Sequence, residues 1–518
     1  MVGRRAQPHP ERLLPQLRAR IRRRRGCHRG RAADHEGVLV TLTSLWALPL
    51  IGGLLVAGLP PRLGKWFGAL VALVALVIAG FVVLNFASGY KGFQFTEKLV
   101  WIPQLSIFYR LGVDGISVWL VALNAFLTLI AILATPVTPR TNGFVGLMLA
   151  MAGGLAGVFM STDLVLFYVF WEAMLIPAYF LLWLYGEGAR PGWAALKFVL
   201  YTLAGSLLML VGVIGEYVAT GHQTFDLAQL AKLAPSPAWQ FGLFFVFALA
   251  FAIKTPLFPF HSWLPDAYNA APIPMLITFA GVMGKAGAYG FLRIAVPLFP
   301  QPVNWWDWRW VLPVLAVAAI IWGALMALVQ SDMKMLVSYS SISHMGFIVL
   351  GIFAFNVQGQ QGALLQMVNH GIIIAALFLI VGWITEKTGV RDRSAVAGLA
   401  LRMPVMAGVF AIVTFAALGL PGLNSFVGEF MTLLGAWQRA PVLAVLGAVG
   451  LVLAPVYMLR LFQGVTQGAP SGPVPRSEIY ASQLGVLAPL IVLMFVLGLD
   501  PALLTNLMTS LGQTGLAR

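Results

Sequence analysis

The feature that most constrains this chain is a succession of long apolar segments. About 14 runs of roughly 18 to 26 mostly apolar residues recur between Thr41 and about Met508, and each is long enough to cross a bilayer. A backbone inside lipid must satisfy its hydrogen bonds internally, and these continuous runs exceed the short alternating strands of a β-barrel. The sequence therefore predicts an all-α polytopic membrane protein with about 14 transmembrane helices.

Composition limits what else the chain can contain. Of its 518 residues, 59% are hydrophobic and only 10% are charged, and the mean hydropathy is +0.86, which leaves no room for a sizeable soluble domain. Cys27 is the only cysteine, so the sequence excludes an internal disulfide, a thiolate zinc site and an iron–sulfur cluster. GVMGKAG around Lys285 lacks the glycine spacing of a phosphate loop, which excludes nucleotide binding there.

The first 37 residues differ from the rest of the chain. They hold eleven arginines against three acidic residues, and they lack the apolar core of a signal peptide. Three interpretations remain open: a basic tail that binds lipid or nucleic acid, a transit peptide, or sequence upstream of the true start in a GC-rich gene. We favour the third, with a start at Val38 or Val40, because Glu36 and Gly37 can be encoded by a purine run resembling a ribosome-binding site.

Two of the predicted spans are interrupted by helix breakers. The seventh, at 239–260, leads into AIKTPLFPFHSWLP, and the twelfth, at 404–432, contains LGLPGLNSFVGEF. Breaks at corresponding places in two halves indicate two inverted repeats, each with a broken helix, although prolines can also merely kink a helix. The predicted organisation is a tail at 1–37, N-terminal transmembrane helices at 38–142, a first antiporter-like repeat at 143–297, a second inverted repeat at 310–463, and a loop with a C-terminal helix at 464–518.

Four ionisable side chains lie deep inside the predicted spans: Glu172, Lys254, Lys285 and Glu429. Each costs roughly 2.5 to 3.5 kcal/mol or more at mid-bilayer, so a chain with both signs there is expected to hold or pass charge. A Glu–Lys pair whose separation changes can switch protonation, because burial and an opposite charge act in opposite directions. We predict Glu172 and Lys254 as this pair, Lys285 as the next station and Glu429 as the last. A scaffold with vestigial charges would instead be stabilised by their removal.

Two histidines lie on the spans between these stations. His344 stands in SYSSISHMGF, where serine hydroxyls can hold water, and His370 stands in LLQMVNHGIII. An intramembrane histidine is often a packed structural residue, and we assign a relay role more readily to His344 than to His370.

Charged residues at the ends of spans are expected to have structural roles. Asp163 and the pair Asp332 and Lys334 are predicted to be interfacial caps or ion pairs, with gating of proton access as the alternative. Glu216, near the end of the sixth span, can reach the lipid headgroups and is left unassigned. Loops after odd-numbered spans carry more Lys and Arg, so the positive-inside rule places both termini outside, and 88–113 is expected to be one of the longest loops.

Three stretches together resemble a known family. AIKTPLFPFHSWLPDAYNAAPIPMLITFAGVMGKAGAYGFLRIA, SYSSISHMGF and GLPGLNSFVGEFM closely resemble the antiporter-like membrane subunits of proton-pumping NADH:quinone oxidoreductase, respiratory complex I. The similarity runs from about Tyr109 to Phe462. A glutamate at position 429 resembles the M-type subunit of that family, whereas the L and N types generally have Lys at this position. DAYNAAP departs from a family pattern close to DAHTEAP, with Tyr268 and Ala270 in place of His and Glu.

The resemblance implies a function for the buried charges. Glu172 and Lys254 would form the switching pair, Lys285 and His344 would continue a hydrated axis, and Glu429 would end it. Proton translocation would be coupled to quinone reduction elsewhere, with NADH, FMN, iron–sulfur clusters and quinone on partner subunits. Neighbouring antiporter-like subunits and the lipid bilayer are the expected partners, and a bacterial cytoplasmic (inner) membrane is the expected location. The alternatives are a subunit of a multisubunit cation/proton antiporter and a related hydrogenase- or ferredoxin-linked pump.

Overall fold

A computed structural model describes residues 42–90, 92–233, 235–304, 308–470 and 478–508. The arginine-rich tail at 1–37 and the start sites predicted at Val38 and Val40 lie outside these ranges. Within them, twelve helices are long and apolar enough to cross a membrane, and two shorter apolar helices accompany them. This confirms the predicted all-α polytopic architecture, since the long and short helices occupy the 14 predicted spans.

The helices follow one another with short connections through most of the described chain. In order they are α1 (Leu42–Val56), α2 (Pro61–Leu84), α3 (Ser117–Ala134), α4 (Thr141–Met160), α5 (Leu164–Tyr185), α6 (Pro191–Ala219), α7 (Leu227–Leu233), α8 (Pro237–Lys254), α9 (Trp263–Ala270), α10 (Ile273–Leu298), α11 (Pro300–Asn304), α12 (Trp308–Val329), α13 (Met333–Ile352), α14 (Val357–Thr388), α15 (Leu399–Arg402), α16 (Pro404–Ala417), α17 (Asn424–Arg439), α18 (Pro441–Thr466), α19 (Ala481–Leu499) and α20 (Ala502–Thr505).

The connection predicted at 88–113 contains a β-hairpin, which the sequence did not predict. Strand β1 (Gln94–Ile102) pairs antiparallel with β2 (Ile107–Val113). The Glu97 carboxylate accepts hydrogen bonds from the Thr43 backbone N–H (3.2 Å) and hydroxyl (2.5 Å), which holds the hairpin against α1. Most of β1 is exposed, so it lacks the inward apolar alternation by which a strand is recognised. We call this face of the membrane domain the hairpin side and the opposite face the far side.

Both predicted helix breaks are present as true helix ends. Helix α8 stops at Lys254 before Pro256 and Pro259, and α16 stops at Ala417 before Pro421, with new helices beginning after each break. Proline removes a backbone donor and clashes with the preceding turn, which explains why each helix stops rather than kinks. Lys254 is the last residue of α8, where the negative end of the helix dipole favours a cation.

Helices α10 and α14 form the centre of the domain, and their membrane-crossing windows are completely buried. They approach closely because Gly281 and Gly371 meet: a Cβ on Gly371 would lie 2.7 Å from the Gly281 carbonyl oxygen. Two π-helical turns, at Phe279–Met283 and Phe291–Ala295, flank the central turn of α10. Such turns are frequent at functional sites, and here they bracket Lys285.

Candidate proton pathway

Four buried side chains form a continuous series through the centre of the domain. The Nζ atom of Lys285 lies 2.8 Å from Nδ1 of His370, and Nδ1 of His344 lies 2.6 Å from Oε1 of Glu429. The two imidazole rings connect these pairs, with their centroids 5.5 Å apart. None of the four residues is more than 5% exposed. Lys285, His344 and His370 each lie near the middle of their helices, so the series runs across the membrane domain at mid-depth.

The hydrogen bonds of this series fix what each group can do. Lys285 donates to the Ala280 carbonyl oxygen at 2.6 Å as well as contacting His370. When Nδ1 of His370 accepts from Lys285, its Nε2 carries the hydrogen, and Nε2 has no partner within the described residues. An amine, two imidazoles and a carboxyl in series can each bind and release a proton. From the sequence, a relay role was assigned more readily to His344 than to His370. In the structure, His370 lies directly between Lys285 and His344.

Glu429 is anchored by two polar groups besides His344. Gln366 Nε2 donates to Oε1 at 2.9 Å, and the Ser425 hydroxyl lies 3.3 Å from the same oxygen. Gly428 permits this approach of α17 to α14, because a Cβ there would lie 2.6 Å from Gln366 Oε1. The carboxyl is therefore held in one orientation, facing the imidazole.

Glu172 and Lys254 are not in contact. No ion pair within 4.0 Å joins them in the described part of the chain, although the carboxylate acts on Lys254 electrostatically. Lys254 is 1% exposed, and its Nζ lies 5.4 Å from the ring centroid of Phe198 and 5.9 Å from that of Trp171, with no hydrogen-bond partner in the described ranges. Glu172 is half-buried and interacts with the Tyr168 hydroxyl one turn earlier. The predicted pair is thus open in this structure.

Comparison with known proteins now places the chain in a family. Residues 161–454, more than half of its length, match the family described as "NADH:quinone oxidoreductase/Mrp antiporter, TM". The chain belongs to this family. It is 38% identical to NADH-quinone oxidoreductase subunit M of Mycobacterium tuberculosis (strain CDC 1551 / Oshkosh), over 91% of this chain and 94% of that protein.

Several solved structures share the fold. A chain of respiratory complex I from Thermus thermophilus with bound NADH superposes with a TM-score of 0.85 at 32% identity, covering 92% of this chain and 99% of that one. A chain of the Mrp complex from Dietzia sp. DQ12-45-1b superposes with a TM-score of 0.80 at 23% identity, covering 92% and 98%. The second likeness is one of fold alone. The arrangement described above is thus built on the membrane scaffold of this family.

Three polar residues beside the series escaped the sequence analysis. Gln366 and Ser425 each precede a series member by four residues, on α14 and α17, and so share its helix face. Thr255 follows Lys254 directly, and its buried hydroxyl would lie 2.2 Å from a Cβ on Gly287, two residues after Lys285. Helical spacing alone could have suggested the first two residues, whereas the position of Thr255 depends on how α8 packs against α10.

The predicted caps are confirmed. Asp163 accepts hydrogen bonds from two backbone N–H groups in the first turn of α5, at 3.0 and 3.2 Å, and Asp332 accepts one in the first turn of α13 at 2.9 Å. Lys334 donates to the Ala271 carbonyl oxygen at 2.6 Å and lies 3.6 Å from a Glu187 carboxylate oxygen on the far side. These contacts hold the ends of the spans together.

Glu216, to which the sequence assigned no role, is packed inside the domain. It is completely buried, and neither carboxyl oxygen has a hydrogen-bond partner within the described residues. The cause is close packing of α6 against α8, where Cβ atoms on Gly212 and Gly215 would lie 2.9 Å from Phe247 and 2.7 Å from Leu243. Glu216 is therefore a second kind of buried charge, outside the series.

The departure from the family pattern at Tyr268 serves packing. Its ring is buried against Phe279 and Phe378, with centroids 5.3 and 5.9 Å away, and its hydroxyl interacts with Ser341 of α13. The tyrosine thus fills the space between α9, α10, α13 and α14. This space lies between Lys285 and the far side of the domain.

Proposed function

We propose that this chain moves protons across a bacterial cytoplasmic membrane as an M-type subunit of NADH:quinone oxidoreductase. The observation that carries the proposal is the series Lys285, His370, His344 and Glu429, in which every neighbour is a group that can bind and release a proton. Its subunit assignment is supported by 38% identity over 91% of the chain to a protein named NADH-quinone oxidoreductase subunit M.

The series transfers a proton in three steps. The Lys285 ammonium gives a proton to Nδ1 of His370, and His370 releases the proton on Nε2 to the facing ring of His344. His344 then gives its Nδ1 proton to Glu429 Oε1, to which it is already hydrogen-bonded at 2.6 Å. Each step breaks one N–H bond and forms one N–H or O–H bond, so one proton moves from Lys285 to Glu429. Rotation of the imidazoles resets their tautomers.

Glu172 and Lys254 switch this series. Lys254 is surrounded by aromatic rings, so its charge depends on how closely Glu172 approaches. Two unit charges 4 Å apart interact with about 4 kcal/mol at the effective dielectric constant of a protein, which is enough to decide whether Lys254 keeps its proton. Closure of the pair holds the charge on Lys254, and opening releases its proton towards Lys285 past Thr255.

The redox chemistry takes place on other subunits. Our proposal assigns NADH, FMN, iron–sulfur clusters and quinone to partner subunits, and it gives this chain antiporter-like neighbours within the membrane. In this view the partners' chemistry changes the separation of Glu172 and Lys254. The neighbours would contact the outer faces of the domain, since the series itself is enclosed.

A cation/proton antiporter subunit is the second candidate. It is favoured by the family description, which includes Mrp antiporters, and by the shared fold of the Mrp complex chain. The two candidates differ in whether the ion movement requires NADH oxidation.

Inverted membrane vesicles carrying Glu172→Gln or Lys254→Met decide between them. We expect NADH oxidation and proton uptake to fall together while the complex remains assembled, and the exposed-carboxyl control Glu386→Gln to leave both unchanged. If NADH oxidation is unaffected and a cation/proton exchange activity disappears, the antiporter assignment is correct. Unchanged oxidation, uptake and exchange would contradict both.

A further inference from the structure

A second cluster of buried polar groups lies on α10 between Lys285 and the hairpin side. Tyr289 and Arg293 follow Lys285 at intervals of four residues, so they lie along the same side of the helix. At 1.5 Å per residue, the backbone of Arg293 is about 12 Å beyond that of Lys285. Asp114, which directly follows β2, completes the cluster.

The cluster is a buried ion pair with a tyrosine on the side nearer to Lys285. Arg293 Nη2 donates to Asp114 Oδ1 at 2.5 Å, and Arg293 Nε donates to the Tyr289 hydroxyl oxygen at 3.1 Å. The two charged side chains are only 10% and 9% exposed. The same Asp114 oxygen accepts two backbone N–H groups just before and at the start of α3, at 3.0 and 3.1 Å. Phe93 covers the guanidinium, 4.9 Å from its ring centroid.

The hydrogen bonds around Tyr289 prevent it from passing a proton on. Its hydroxyl donates to the Phe159 carbonyl oxygen at 3.0 Å, and a peptide carbonyl has no proton of its own to pass on. Its oxygen accepts from the Arg293 guanidinium and from the Ser117 hydroxyl, and the Ser117 oxygen in turn accepts from the Asp114 backbone N–H. A guanidinium is not deprotonated in proteins, so it accepts nothing from Tyr289. This contrasts with the series through His370, in which each member contacts another group that can bind and release a proton.

We propose that Tyr289, Arg293 and Asp114 form a proton seal that closes the direct route between Lys285 and the hairpin side. With that route closed, a proton on Lys285 passes to His370, which couples its release to the state of the series. This inference rests on the proposed function, because a seal matters only if Lys285 carries transported protons. Arg293 acts by occupying Asp114, the only carboxylate in the cluster.

The seal makes a specific prediction about Arg293→Gln. Without the guanidinium, Asp114 keeps its backbone hydrogen bonds but loses its counter-charge, so it attracts a proton past Tyr289 towards the hairpin side. One unit charge about 12 Å away changes a proton-transfer rate about tenfold at the effective dielectric constant of a protein. We therefore expect Arg293→Gln to dissipate an imposed pH gradient about tenfold faster than the parent protein, in vesicles containing the assembled complex and no NADH.

The matched variant is Arg293→Gln combined with Asp114→Asn. It retains the space left by the arginine but removes the acceptor, so the seal predicts that the gradient decays at the parent rate again. Equal leakage in the single and double variants would show that a void conducts, and an assembled, non-leaking Arg293→Gln would show that no seal exists. Either result overturns the proposal.

Two further measurements test the seal if Arg293→Gln fails to assemble or if the complex does not pump. If Arg293→Gln does not assemble, Tyr289→His leaves the ion pair in place and inserts a group that both accepts and releases protons, so the seal predicts a leak; a tight Tyr289→His complex would contradict it. Passive leakage needs no redox chemistry, so it is separable from the proposed function. A leak in Arg293→Gln together with no NADH-driven pumping by the parent complex would overturn the function and leave the seal standing.

Discussion

His370 is the side chain on which the proposed pathway depends most, because it contacts Lys285 and faces His344. Replacement by leucine removes both proton-binding nitrogens while keeping an apolar side chain that the buried site tolerates. We expect His370→Leu to lower proton pumping per NADH by about tenfold or more, in line with the loss of a proton-transfer group. The measurement is acidification of inverted vesicles with assembly checked. The exposed His222→Gln serves as the control, and equal pumping by both variants would remove His370 from the pathway.

Unlike His370, Glu216 is predicted to have no role in pumping, and its replacement is predicted to stabilise the complex. A buried polar group without a hydrogen-bond partner costs roughly 1 to 3 kcal/mol in protein mutational data. Because both Glu216 oxygens lack a partner in the described chain, Glu216→Met is expected to raise the thermal stability of the complex by about that amount and to leave pumping intact. The midpoint of thermal inactivation measures this. A lower midpoint would show that the carboxyl makes a stabilising contact in the assembled complex.

Single residues show how far the sequence alone could predict the site. The four charges in apolar spans stand out because they are costly there, and their prediction needed no structure. Their contacts could not be predicted, since Lys285 and His370, like His344 and Glu429, are 85 positions apart. Which faces of α10, α13, α14 and α17 meet is decided by packing, and apolar composition on all sides of a membrane helix gives little information about its inward face.

At the level of elements, the contact between α10 and α14 sets the geometry of the series. A Cβ on Gly371 would lie 2.7 Å from the Gly281 carbonyl oxygen, so Gly371→Ala must move the two helices apart. We expect this variant to reduce pumping several-fold by separating Lys285 from His370, although neither group is changed. Gly408→Ala in α16 is the control, because a Cβ there meets nothing within 4 Å. If Gly371→Ala pumps normally, this contact does not position the series.

The elements also differ in how well the sequence predicted them. The breaks before α9 and α17 were predicted correctly because proline and glycine act locally on the backbone. The β-hairpin was missed because β1 is mostly exposed and lacks apolar alternation, and because the hydrogen bonds that hold it to α1 join residues 54 positions apart. The Arg293–Asp114 pair was missed for a similar reason, since its partners are 179 positions apart.

For the whole molecule, the chemistry of the series indicates which ion is moved. Hard cations bind through several oxygen ligands, whereas this series consists of an amine, two imidazoles and a single carboxyl. We therefore expect NADH-driven charge movement to be unchanged when Na⁺ is replaced by choline in the vesicle medium. A loss of charge movement without Na⁺, restored by its addition, would contradict proton transport through this route.

The most direct test of the account is the number of protons moved per NADH oxidised by the reconstituted complex carrying Glu429→Gln. Glutamine keeps the size of the side chain and can still accept from His344 and Gln366, so the packing around the 2.6 Å contact is retained while the proton acceptor is lost. If protons pass along the series, the variant complex assembles and moves fewer protons per NADH than the parent and than the Glu386→Gln control. An unchanged ratio in an assembled Glu429→Gln complex would show that protons do not pass through the series.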